Sequence, residues 1–197
     1  VGSGALNAQD GGTNGVDFYN VAVGYEAGKA VTTGTANTLI GGLAGDALTT
    51  GHSNVAIGYA ALSSEDEHGG NVAIGKDALT VQNAGAHAYN VAVGHNAGLS
   101  VTTGIQNTII GSLAGDALTT GGQNVALGYL ALSAEDTGSR NIAIGERALT
   151  NQNYDGAAHN VAIGHDAGKN VTTGIRNTLM GGIAGDALTT GAYNVAI

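Results

Sequence analysis

Residues Asn54–Leu62 read NVAIGYAAL, and the phrase returns as NVAIGKDAL from Asn71, NVALGYLAL from Asn124 and NIAIGERAL from Asn141. The Asn residues that open it are Asn20, Asn37, Asn54, Asn71, Asn90, Asn107, Asn124, Asn141, Asn160, Asn177 and Asn194. Their interval is constant except after Asn71 and Asn141, where it lengthens slightly. A fixed short period decides a fold before local propensity does. Each phrase holds about three consecutive apolar residues closed by a Gly, long enough for a short strand and too short for a helix. Gly supplies the positive φ that a tight corner demands. Two short strands and two corners in about 17 residues make one coil of a parallel β-solenoid, whereas helical repeats need more than about 30 residues and propeller blades about 40. The expectation is an all-β parallel β-solenoid of about eleven coils, forming one repetitive segment from residue 1 to 197.

A second period is nested on the first. Asn20, Asn90 and Asn160 open coils of matching text, so four coils make a super-repeat. Val31–Gly34 recurs as Val101–Gly104 and Val171–Gly174, and Gly45–Gly51 recurs as Gly115–Gly121 and Gly185–Gly191. The chain opens on Val1 and closes on NVAI, a broken phrase, and so reads as an excerpt of a longer chain.

Composition narrows the class. Charged residues make up 11% of the chain, far below the roughly 25% of ordinary domains, while 43% is hydrophobic despite 35 Gly. That much apolar content argues for folding and against a disordered linker. Six basic residues scattered among fifteen acidic ones argue against nucleic acid as a partner. No run approaches the ~20 apolar residues of a membrane helix, so no membrane insertion is expected of this segment. The absence of Cys excludes disulfides and thiolate sites.

Within a solenoid, like residues stack on like at the ~4.8 Å strand spacing. The eleven Asn are then expected to form a ladder of side-chain amides along the axis. The alternative is that each Asn caps a turn, because Asn tolerates the left-handed region. In the strand itself, the residues one and three places after the Asn share a face and the middle residue takes the other. That middle residue is Ala22, Leu39, Ala56, Ala73, Ala92, Ile109, Ala126, Ala143, Ala162, Leu179 or Ala196, never polar. Both faces therefore read as buried. The middle residues Ala22 through Leu179 are assigned to a subunit contact at the axis of a parallel homotrimer, the alternative being a monomeric solenoid whose hydrophobic side awaits another domain. Leu39, Ile109 and Leu179, with Leu43, Leu113 and Ile183, are the expected apolar plugs that lock register there.

Phrases such as NVAIGYAAL followed by TTG resemble the NTAIGYxAL-type repeats of phage tail-fibre-like proteins and related bacterial surface proteins. They are also similar to the SVAIG-type repeats in the heads of trimeric autotransporter adhesins. The resemblance covers nearly the whole chain. It implies a left-handed parallel β-roll, trimeric, forming a fibre shaft or head outside the cell or on a virion.

Chemistry-bearing residues are sparse. Asp46, Asp116 and Asp186 follow Gly at equal phase, but the Gly-rich calcium-binding nonapeptide is absent, so turn capping is the expected role. His95 and His165 share a phase with Tyr25, which speaks against a metal ligand. Glu65-Asp66-Glu67-His68 reads as a solvated charge run. No catalytic residue, cofactor or metal is assigned, and an enzyme is not expected. Paired Thr such as Thr32-Thr33 and Thr49-Thr50 raise an ice-binding alternative, which the intervening Ser63-Ser64-Glu65 and Thr80-Val81-Gln82 interrupt. A carbohydrate-active β-solenoid is the other alternative. The expected function is structural: length and rigidity in an extracellular, cell-surface or virion fibre. Any receptor or glycan would be met on the variable loops Asp10–Tyr19, Ser63–Gly70, Val81–Tyr89, Ala134–Arg140 and Asn151–His159.

Overall fold

The computed structural model of the chain describes residues 2–9 and 17–197; residues 10–16 of the first variable loop lie outside it. Eleven short strands follow the phrase: β1 (Val21–Val23), β2 (Thr38–Ile40), β3 (Val55–Ile57), β4 (Val72–Ile74), β5 (Val91–Val93) and β6 (Thr108–Ile110). After them come β7 (Val125–Leu127), β8 (Ile142–Ile144), β9 (Val161–Ile163), β10 (Thr178–Met180) and β11 (Val195–Ala196). They form one sheet in strict chain order, every neighbouring pair parallel. Residues of equal phase pair, as Ala22 with Leu39 and Leu39 with Ala56. The fold is an all-β parallel β-solenoid of about ten turns, with no helix among the described residues. Ten steps at ~4.8 Å give a rise of roughly 48 Å.

One strand forms per coil, not two. The stretch after each strand-ending Gly is a run of turns in which every second residue takes positive φ, as Leu43 (φ 59) and Gly45 (φ 55) do. Their N–H groups point along the axis in opposite directions: Leu43 N donates back to Tyr25 O at 2.9 Å, and Gly45 N donates forward to Ala61 O at 2.9 Å. Backbone pairing between coils thus continues around the corner without a regular strand. At the strand ends, Gly24, Gly41, Gly58 and their successors stack so closely that a Cβ on Gly41 would meet Gly58 O at 2.4 Å.

The strand faces inward with the side expected to face a partner. Ala22, Leu39, Ala56, Ala73, Ala92, Ile109, Ala126, Ala143, Ala162 and Leu179 line the interior of the single chain, and all but Ala22 are fully or almost fully buried there. They cannot be a subunit contact. The reason is width: small residues at this phase let the opposite wall, Ala61-Leu62 and its equivalents, close to packing distance, while the bulkier Val and Ile turn outward. The plugs are likewise internal. Leu39 fills the space over two glycines, its methyls 2.6 and 2.8 Å from where a Cβ would stand on Gly28 and Gly45. Leu43 and Leu113 are half-buried corner residues and Ile183 is exposed, so none of them completes an axial plug.

Candidate functional site

Turning the strand over leaves an unusual surface. Its two outward columns begin at Val21 and Val23 and end at Val195 and Ile197. Along the whole length they hold only Val, Ile, Leu, Met and three Thr, with no charge at any coil. Val21, Val23, Ile40, Leu127, Ile142 and Met180 are among the exposed members, and most of the others are half-buried. Parallel sheets are ordinarily covered on both faces; this one has its outer face open in the single chain. Tyrosines flank the ribbon. Tyr19, Tyr89 and Tyr193 precede a phrase-opening Asn, Tyr25, Tyr59 and Tyr129 follow a strand-ending Gly, and all six are about half exposed or more. Only Tyr154 of the seven lies elsewhere. The same two flanking phases also carry Lys76, Arg140, Glu146 and Arg176, so the apolar ribbon has a mixed aromatic and charged border.

Behind the strand the phrase-opening Asn residues stack. The Oδ1 of Asn20 accepts the N–H of Asn37 at 2.8 Å, Asn37 Oδ1 accepts that of Asn54 at 3.0 Å, and the same bond repeats up to Asn177 and Asn194 at 2.9 Å. Most of their Nδ2 groups donate to a carbonyl near the end of the same coil, as Asn37 does to Gly51 O at 2.8 Å. The amides therefore join coils through the main chain; an amide-to-amide bond occurs from Asn194 Nδ2 to Asn177 Oδ1 at 3.0 Å. None of the eleven takes positive φ; the residue before each does, as Ala36 and Ser53 show. Asn71 and Asn141 open the two longer kinds of coil, and their Nδ2 groups lack a partner.

A second polar column runs through the interior at the phase of Val31 and Leu48. There stand Glu65, Gln82, Glu135 and Gln152, all fully buried. Gln82 Oε1 accepts the Nδ2 of Asn90 at 2.7 Å, and Gln152 does the same for Asn160 at 2.8 Å. Glu135 accepts the N–H of Gly138 at 2.8 Å on Oε1 and that of Tyr154 at 3.4 Å on Oε2. Burial nonetheless pushes its carboxyl up to about 7, the hydrogen bonds offsetting only part of the desolvation. Burial raises Glu65 as well. The run Glu65–His68 is thus not a solvated one: its first residue is a core residue, and only Asp66, Glu67 and His68 reach solvent. The available signal was phase, since Glu65 falls where Val31 and Leu48 fall.

The remaining candidates are scattered. Asp46 and Asp116 are half-buried, each with Oδ1 unpartnered and its carboxyl raised by burial, so a capping hydrogen bond is not made by that oxygen. Asp186 is exposed. His95 and His165 sit on exposed corners, His165 beside Arg147 and Asp166. The first Thr of every Thr-Thr pair but the last spends its hydroxyl on the next coil: Thr32 donates to Thr49 O at 3.2 Å and Thr49 to Asp66 O at 3.0 Å. No family model, characterised protein or solved structure matches the chain.

Proposed function

We propose that this chain is a rigid segment of an extracellular or virion fibre or adhesin, built as a left-handed roll and assembled as a parallel homotrimer. The observation that carries the reading is the uncharged ribbon along the outer sheet face, with six tyrosines in its mixed border. Its roughly twenty part-exposed aliphatic side chains offer on the order of 1,000 Å², above the roughly 300–600 Å² patch of a typical monomer. An area of that size matches the ~800 Å² per partner of a stable interface. Further copies of this chain are the occupants that fit, three ribbons converging on one axis. A flat ribbon repeating at the strand spacing is complementary to one with the same spacing, and neither side brings a charge to be desolvated. The repeats' resemblance to those of tail-fibre-like proteins and adhesin heads supports the same assembly, with receptor or glycan contacts on the loops.

Analytical ultracentrifugation tests this. The chain is expected to sediment as a trimer. Leu127→Lys with Ile57→Lys places unpaired charge on the ribbon and is expected to release monomers whose circular dichroism is unchanged. A wild-type chain that stays monomeric at high micromolar concentration would overturn the reading.

A further inference from the structure

The two complete super-repeats differ at one place that the fibre role does not use. In the second copy, Glu135-Asp136-Thr137-Gly138, the buried carboxylate is satisfied on both oxygens, by the N–H groups of Gly138 and Tyr154. In the first copy, Glu65-Asp66-Glu67-His68, Gly138 is replaced by His68 and Tyr154 by Ala84. Glu65 keeps the N–H of its third following residue, His68, at 3.2 Å on Oε1, but its Oε2 has no partner although the residue is fully buried. His68 Nδ1 is buried and without a hydrogen bond too, 3.6 Å from Glu65 Oε1. One donor atom each from Glu65, Asp66 and His68 lies within 4.8 Å of the others. Two more imidazoles gather on the neighbouring coils: His87 meets His52 at 4.9 Å between ring centroids and His68 at 6.2 Å.

We propose that Glu65, Asp66 and His68 bind one divalent transition ion of the zinc class. The donor set decides the class. Two carboxylates and an imidazole suit Zn²⁺, which takes three protein ligands and leaves a fourth position to water, whereas Ca²⁺ and Mg²⁺ prefer oxygen throughout. Donors about 3.3–3.5 Å apart are needed around a tetrahedral Zn²⁺ with bonds of ~2.0–2.2 Å. Asp66 and His68 are half-buried, and Asp66 Oδ1 already accepts the N–H of Glu67 at 2.7 Å, so the ion would draw on its other oxygen and pull the donors together around the buried Glu65. An ion there gives a partner to His68 Nδ1, which otherwise lies buried without a hydrogen bond beside the incompletely satisfied Glu65 carboxylate, and it does so only in the copy that carries His.

The internal duplication provides the control. Isothermal titration of the untagged chain with ZnCl₂ is expected to give one tight site per chain, and Co²⁺ in its place a tetrahedral d–d absorption band. His68→Gly installs the residue present at the matching place in the second copy and is expected to weaken binding at least about 10-fold. Glu65→Gln, which places at that phase the residue Gln82 supplies one coil on, is expected to do the same with the fold retained. Glu135→Gln is expected to leave Zn²⁺ binding unchanged. No Zn²⁺ uptake would reduce the cluster to a His–carboxylate ion pair, and undiminished uptake by both His68→Gly and Glu65→Gln would place the ion elsewhere. Either result overturns the proposal.

Discussion

At the scale of the residue, the interior of this solenoid is unusual for the acid it holds. Glu135 has an ordinary value of 4.5 and is raised to about 7 by burial. A carboxyl with a raised folded pKa binds its proton more tightly in the folded state. It therefore favours folding at low pH, and that advantage is lost as pH rises from about 4.5 through about 7. At ~1.4 kcal/mol per unit the loss is on the order of 3 kcal/mol. Glu135→Gln keeps an acceptor for Gly138 N–H and removes the titration. Denaturant unfolding should find this variant more stable than wild type by about 2–3 kcal/mol at pH 8 and nearly equal to it at pH 4. Equal differences at both pH values would sink the argument. A Glu beside an Asp looks solvated when read in its own short run. For Glu65, only its phase against Leu48, one coil earlier, and Val31, two coils earlier, marks a core position.

At the scale of the element, strand position and period were legible because stacking makes them so. Each coil must repeat its neighbour's hydrogen-bonding register, so Asn, strand and Gly recur in the text as they do in space. Facing was not legible from the strand alone. Val, Ala and Ile are all apolar, and period-two alternation cannot say which side is inside when neither side is polar. The deciding signal lay across the coil. Where the middle strand residue is large, as Leu39, Ile109 and Leu179 are, the residue six places later is Gly45, Gly115 or Gly185. After Ala56, Ala73, Ala126 and Ala143 it is Leu62, Leu79, Leu132 and Leu149. Such compensation belongs to residues that share one interior. Ile109→Ala should then cost about 2–5 kcal/mol through the cavity left over Gly98 and Gly115, without altering association. If dissociation of the oligomer accompanied the loss of stability in sedimentation, the residue would belong to a subunit contact after all. The second strand expected in each coil does not form, for a different reason. Alternating left-handed residues such as Ala60 (φ 53) and Leu62 (φ 52) carry no sequence mark when they are not Gly.

At the scale of the whole molecule, the four-coil super-repeat is a packing rule, and it predicts which lengths the rod can take. The first coil of each super-repeat has Gly at a phase where the coils on either side need room. Cβ on Gly98 would lie 3.0 Å from both Leu79 of the coil before and Ile109 of the coil after. Gly168 stands in the same way between Leu149 and Leu179, at 3.0 and 2.6 Å. Deleting residues 90–159 removes a complete super-repeat and joins Tyr89 to Asn160, so Gly168 takes the place of Gly98 and every interior contact is restored in kind. Small-angle scattering should show a rod shorter by roughly 19 Å, four coils at ~4.8 Å. Deleting residues 90–106 removes a single coil, preserves the outer ribbon and the Asn column, and sets Ile109 directly against Leu79. Overpacking of that kind costs about 1–3 kcal/mol. The single-coil deletion should therefore melt below both the parent and the much shorter four-coil deletion. Coils that were freely interchangeable would reverse that order, since the chain that loses one coil would then be more stable than the chain that loses four.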